Sequence, residues 1–254
     1  MTTNLQPQAQ RPRSHQPSKP SAPEETGRRW FLPRKQVIYL LYAILALPLV
    51  ILIGFVIFQP IQVLPRISLA PGFALTDQDG NRLTNEDLRG SMVLYHFTYT
   101  NCGEGCSQTS PSMAMIQRAL SDLDTGGIPL QFVTISFDPA RDTPEQLAQF
   151  AAEMGADTTT WHFLTGEPAK LKNVIGGGFN TFYEARDDGT FEFYPTFALV
   201  DGWGILRARY RTATPDINIV ARDIGLVVKE LENATGANSF AYEAAHLFLC
   251  YPDY

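Results

Sequence analysis

Residues 37–58 read VIYLLYAILALPLVILIGFVIF, a run of 22 positions without a charge. As a helix it would be roughly 33 Å long, which matches the core of a bilayer. Whatever else the chain builds must therefore fold to one side of this segment. A cleaved signal peptide has a shorter apolar core and a small-residue cleavage site after it, whereas this run passes straight into Gln59-Pro60-Ile61-Gln62. The expectation is an uncleaved, single-pass membrane anchor over residues 36–58. Pro48 is acceptable inside it, because membrane helices tolerate proline better than soluble ones.

Charge orients the anchor. Residues 1–35 hold seven of the 20 lysines and arginines but only two of the 26 acidic residues, which leaves 13 basic against 24 acidic for the remainder. The basic end belongs in the cytoplasm, so the bulk of the chain is expected outside the cytoplasm, on a plasma membrane. Arg28-Arg29-Trp30-Phe31-Leu32 also resembles a twin-arginine export signal, but arginines flanking a span are expected anyway and carry the argument less far. Residues 1–35, rich in Gln, Pro, Ser and Arg, read as a disordered cytoplasmic tail. A net charge of about −11 beyond residue 35 argues against a nucleic-acid partner and against a surface that clings to anionic lipid.

With 254 residues and 44% hydrophobic composition, the chain can supply one domain with a sizeable core besides the anchor. Residues 59–68 read as a linker, 69–235 as the domain and 236–254 as a tail with a short helix. Phe73 and Leu75 sit on one face of an extended piece that turns at Asp79-Gly80, which predicts a hairpin. Ser91–Thr98, dense in β-formers, predicts a buried central strand, and the helical spacing of Met113, Ile116 and Leu120 places a helix from Ser110. Residues 129–137 form a further strand. Thr143 as N-cap with Pro144 at the first helical position starts a helix that runs to Met154. A short strand over Trp161–Leu164, a glycine-weakened helix from Pro168 to about Phe179, a hairpin from Phe193 to Tyr210 and a last helix from Pro215 to Glu232 follow. Parallel strands crossed by helices, with an antiparallel hairpin at one edge, make a mixed α/β architecture.

There are three cysteines, Cys102, Cys106 and Cys250, too few for a disulfide scaffold. Cys102 and Cys106 lie just past the central strand. A bridge between them would close a very short loop and add little stability by chain entropy, so the pair points to chemistry.

A cysteine pair at a strand-to-helix junction resembles the thioredoxin-like fold, a mixed central sheet flanked by helices. Four stretches bring the resemblance to the Sco/SenC family of membrane-anchored copper chaperones. They are Ala70-Pro71-x-Phe73-x-Leu75-Thr76-Asp77-x-x-Gly80, Tyr95-x-Phe97-Thr98-Tyr99-Thr100-x-Cys102-x-x-x-Cys106, Ser136-x-Asp138-Pro139-x-Arg141-Asp142-Thr143-Pro144, and Trp161-x-Phe163-Leu164-Thr165-Gly166. The resemblance implies Cu(I) held by Cys102 and Cys106 together with a distant histidine. It also implies a role in building the binuclear copper centre of a haem-copper oxidase. The partners would be the oxidase copper-site subunit and an upstream copper donor or thiol reductant. Thiolates are soft donors that suit Cu(I). The implied histidine position falls near Phe193, where this chain has no imidazole.

Tyr194-Pro195-Thr196-Phe197 instead resembles the segment of thiol-disulfide oxidoreductases in which a cis proline, here Pro195, lies against the redox pair; a proline at a strand start is the plainer reading. Two functions stay open: copper transfer through Cys102 and Cys106, or disulfide exchange in which Cys102 attacks and Cys106 resolves. Whether the protein is an enzyme stays open with them. A peroxidase is disfavoured, because Tyr99 stands where the peroxide-holding Thr or Ser would be. Of the four histidines, His15 lies in the tail, while His96 and His162 read as core residues. His246 and Cys250, four apart on a predicted helix, could fold back and supply a copper ligand, although an apolar helix packed on the domain is the simpler expectation.

Overall fold

The computed structural model describes residues 33–58, 61–102, 108–234 and 237–248. The first element, α1 (Arg34–Phe58), is a 25-residue helix with Pro48 inside it. Its length and composition suffice to cross a membrane.

The domain that follows contains, in chain order, β1 (Ser68–Leu69), β2 (Ala74–Thr76), β3 (Arg82–Thr84), β4 (Met92–Thr98), α2 (Thr109–Ala119), β5 (Leu130–Ser136), α3 (Pro144–Met154), β6 (Trp161–Leu164), α4 (Pro168–Leu171), a π-helical segment (Lys172–Gly178), β7 (Tyr183–Ala185), β8 (Phe191–Phe193), β9 (Phe197–Val200), β10 (Ile205–Tyr210), α5 (Ile217–Glu232) and α6 (Ala237–Phe248). Six strands form the central sheet in the order β1-β10-β9-β4-β5-β6. β4, β5 and β6 run parallel, joined by crossovers that carry α2 and α3, and the β9–β10 hairpin lies antiparallel beside β4.

Every residue of β4 is buried, as expected of a strand covered on both faces. Met92 and Leu94 face a core shared with Met113 and Ile116 of α2, Leu147 of α3 and Val220 and Ile224 of α5. Val93, Tyr95 and Phe97 face the second core with Leu75, Val174, Ile175 and Phe179. The alternation along one strand thus divides the domain into two apolar layers around one sheet.

Local signals placed α3 well. Thr143 Oγ1 accepts from Gln146 N at 3.4 Å, Pro144 follows it, and Gly155 ends the helix at φ 62°, a conformation that suits a residue without Cβ. The capping bond is long, so Thr143→Ala should cost about 0.5–1 kcal/mol, the lower half of the usual range, measurable as a drop in urea midpoint. A loss above about 2 kcal/mol would mean that Thr143 does more than cap.

Four expectations change. The assigned linker is built into the domain from Val63, because Val63 and Leu64 are apolar and buried, and Ile67 N donates to Leu206 O at 2.9 Å. The β9–β10 hairpin is one strand in from the edge, since β1 pairs with β10. Phe193 is not part of that hairpin: β7 and β8 form a separate two-stranded sheet of their own. The helix from Pro168 loses its α-helical form at Lys172, where the backbone widens into a π-helical segment across the three glycines.

Candidate functional site around Cys102

β4 carries the chain to one end of the sheet, and Tyr99, Thr100 and Asn101 lead from it to Cys102. Cys102 is partly buried against the second core, and it is disulfide-bonded. Cys106, Glu104 and Cys250 lie outside the described residues, so the expected pairing and the placement of Cys106 at a helix start do too.

Two sets of contacts hold the segment that leads to Cys102. On one side the Tyr99 ring packs on Phe137 at 5.3 Å and Phe191 at 5.1 Å, with Phe193 at 6.3 Å, and Phe191 N donates to Tyr99 Oη at 3.3 Å. On the other side Thr100 donates twice to the buried carboxylate of Asp142, from its backbone N at 3.0 Å and from Oγ1 at 2.6 Å. Ser136 Oγ also donates to Asp142. In the same loop Arg141 pairs with Asp138 and reaches Gly189 O at the β7–β8 turn. The loop after β5 and the β7–β8 hairpin are therefore tied together beside Cys102. Phe193, at the implied histidine position, belongs to this aromatic cluster, with its ring 6.3 Å from Tyr99 and 5.2 Å from Phe137, and a phenyl ring offers no donor atom to a metal.

An apolar recess of about 800 Å³ opens next to the same cluster, lined in part by Phe137, Pro139, Pro168, Tyr183 and Phe191. Its position at the C-terminal ends of parallel strands is where α/β sheets commonly receive ligands.

Pro195 precedes β9, and because Phe197 pairs with His96 in antiparallel register, it stands at the Cys102 end of the sheet. No cis peptide bond occurs among the described residues, so the expected cis bond at Pro195 is replaced by a trans one. Trans is the favoured isomer even before proline.

The histidines divide clearly. His96 is fully buried on β4, stacked on Phe197 at 4.9 Å, with Nδ1 3.3 Å from Thr134 Oγ1, and burial pushes its pKa down to about 3. It is a neutral core residue at physiological pH. His162, half-buried on β6, has its pKa lowered by burial, against the opposing pull of Asp77 and Asp79.

The tail does not deliver His246 to Cys102, which corrects the tail-ligand expectation. His246 Nε2 meets Glu230 Oε1 at 2.9 Å, and Glu230 is in turn paired with Arg207 and Arg66. Arg207 follows Leu206, which pairs with Val200, and Val200 pairs with Val93 near the start of β4. That is the end of the sheet opposite Cys102. The physical reason is charge: Arg207, with its side chain wholly buried, demands anionic partners, and α6 packs over them through Ala245 and Tyr242 on Val63 and Ile61. Among the described residues no three His, Cys, Asp or Glu side chains converge as a metal site.

The carboxylate of Asp142 escaped sequence reasoning as a site residue. It stands in one of the four stretches that carry the family resemblance, which by itself assigns it no role. The signal was an acidic residue in the loop that follows β5, the strand beside the cysteine-bearing one.

Comparison with known proteins follows the same lines. The profile of the family described as SCO1/SenC matches residues 63–228, well over half of the chain. The SCO1 protein homolog of Bacillus subtilis (strain 168) is 34% identical over 94 residues, 37% of this chain and 47% of that protein. A putative copper-binding protein of Stutzerimonas stutzeri is 29% identical over 160 residues, 59% of this chain and 73% of its own length. The chain thus spans about half of the first of these relatives. Among solved structures, BsSco, described as a Sco-family cytochrome c oxidase assembly protein with a disulfide switch, is similar with a TM-score of 0.56 and 24% identity, over 63% of this chain and 94% of that one. At that identity the likeness concerns the fold.

Proposed function

The chain belongs to the SCO1/SenC family, and from that membership we propose that it assists assembly of the binuclear copper centre of a haem-copper oxidase by passing Cu(I) through Cys102 and Cys106. The observation that carries this reading is the placement of Cys102 just past the exit of the central strand, partly buried against the second apolar core. Two thiolates bind soft Cu(I) well. Copper here is cargo. Cys102 and Cys106 would hold it until a copper-site subunit of cytochrome c oxidase offers a better set of ligands, after an upstream donor has loaded the pair. The Stutzerimonas stutzeri relative, described as a putative copper-binding protein, supports the same reading.

A second reading stands on the disulfide at Cys102. In its reduced form the Cys102 thiolate attacks a disulfide of the target and forms a mixed disulfide, releasing one target thiolate. Cys106 then attacks Cys102, expelling the second target thiol, so the target leaves reduced and this pair ends oxidised. An upstream thiol reductant restores the pair. On this reading Cys106 is the partner of Cys102. On either reading we take α1 as a single-pass anchor with a cytoplasmic basic tail over residues 1–35 and the domain outside the plasma membrane.

The test is titration of the reduced protein with Cu(I) in an anaerobic competition assay. One Cu(I) per chain is expected, lost in both Cys102→Ser and Cys106→Ser and retained in His246→Ala. No Cu(I) uptake, together with stoichiometric reduction of an oxidase copper-site peptide disulfide, would replace the carrier reading by the exchange reading.

A further inference from the structure

We propose that Asp142 is the positioning residue for Cys102, acting through Thr100 to hold the sulfur in the orientation of its disulfide. The proposal rests on the reading of Cys102 as the functional sulfur.

One carboxylate captures one residue twice: Asp142 Oδ2 takes the backbone N of Thr100 and Oδ1 takes its hydroxyl. The main-chain direction and the side-chain rotamer of Thr100 are fixed by the same group. Ser136 Oγ donates to Oδ2 and accepts from Asp138 N at 3.0 Å, and Asp142 N donates to Asp138 O at 2.9 Å, so the carboxylate itself cannot swing. Asp142 is 0% exposed. Hydrogen bonds to a buried carboxylate are the strong kind, and the desolvation of that group would be poorly spent on a loop that needed only to stay attached.

Tyr99, next to Thr100, is packed against Phe137 and Phe191. Two consecutive residues are thus held by separate sets of contacts, and Cys102 is two positions further on. With its approach fixed, Cys102 meets a partner sulfur from one direction, and that order is paid in advance by the clamp, which favours the disulfide over the dithiol. Release of the clamp returns freedom to the open form and weakens the bond.

The experiment equilibrates the full-length chain in detergent with glutathione buffers of varied ratio and traps free thiol at Cys102 for mass spectrometry. The disulfide is reduced by two glutathione molecules, giving two protein thiols and one glutathione disulfide. Thr100→Val keeps the shape and the backbone donor but loses the hydroxyl. It should lower the equilibrium constant for oxidation about tenfold, equivalent to a rise of about 30 mV in reduction potential. Thr100→Ser, which restores the hydroxyl, should stay within about twofold of the wild type. Ser136→Ala, which frees the carboxylate from the other side, should shift the potential in the same direction as Thr100→Val. A purely structural tie would move the melting temperature and leave the potential in place. An unchanged potential in Thr100→Val, or a Thr100→Ser variant that shifts as far as the valine, overturns the clamp while the copper and exchange readings survive. A wild-type chain whose Cys102 disulfide resists every glutathione ratio removes the functional reading, and the clamp with it.

Discussion

Replacing Arg207 with methionine should destabilise the domain by about 3–5 kcal/mol, the cost of leaving buried charges without their partner. The Arg207 side chain is 0% exposed and lies between Asp201, at 0%, and Glu230, at 3%. It also donates to Leu64 O at 2.9 Å, so its loss unfastens the segment that enters the domain as well. Methionine fills the space and removes the charge, which isolates the electrostatic part. Urea denaturation followed by circular dichroism reads the change, and a loss under about 1 kcal/mol would mean that Arg66 and His246 compensate.

Acid titration gives the same cluster a second signature. Burial alone raises the pKa of Glu230, but hydrogen bonds from His246 and Arg207, attraction to Arg207 and the bond from Arg66 outweigh it and bring the value from 4.5 down to about 2. A carboxyl lowered in the folded state stabilises fully above its unfolded pKa, and that contribution fades as pH falls through the folded one. The wild type should therefore lose stability between pH 4.5 and about 2. The deficit of Arg207→Met should narrow over the same window, because there the ionised Glu230 that needed the arginine disappears.

Trp161→Ala should cost a similar amount, about 3–5 kcal/mol, for a different reason. Trp161 is the largest of the fully buried side chains, stacked on Phe163 at 4.7 Å, and its Nε1 donates to Thr134 Oγ1 at 2.8 Å. Alanine leaves a cavity and removes a donor from a hydroxyl that also meets His96. The urea midpoint should fall with the slope unchanged, and Trp161→Phe should recover most of the apolar part. Equal losses in alanine and phenylalanine would place the cost in the hydrogen bond and not in the packing.

What was legible in the sequence was whatever a short window encodes. The unbroken apolar run announced α1, the continuous β-formers from Met92 to Thr98 announced a strand buried on both faces, and Thr143-Pro144 with Gly155 marked both ends of α3. The cysteine motif could be placed at a strand exit because strand and motif are contiguous. The β7–β8 hairpin was missed, since three-residue strands are too short for alternation to show, and Phe193 was joined to the wrong pair. The trans bond at Pro195 was missed because the resemblance of a four-residue segment says nothing of its isomer.

The sequence by itself determined the long apolar helix α1, the central strand, the main helices, the family and the position of Cys102 just past β4. Tertiary structure alone decided which charges are buried and what they hold. Thr100 meets Asp142 across 42 positions, Arg207 meets Leu64 across 143, and His246 is drawn to Glu230 and so to the end of the sheet away from Cys102. A lone acidic or basic residue in a sequence reads as solvated surface. Only the long-range packing that removes water from it, and the partner that the desolvation then requires, turn it into a clamp.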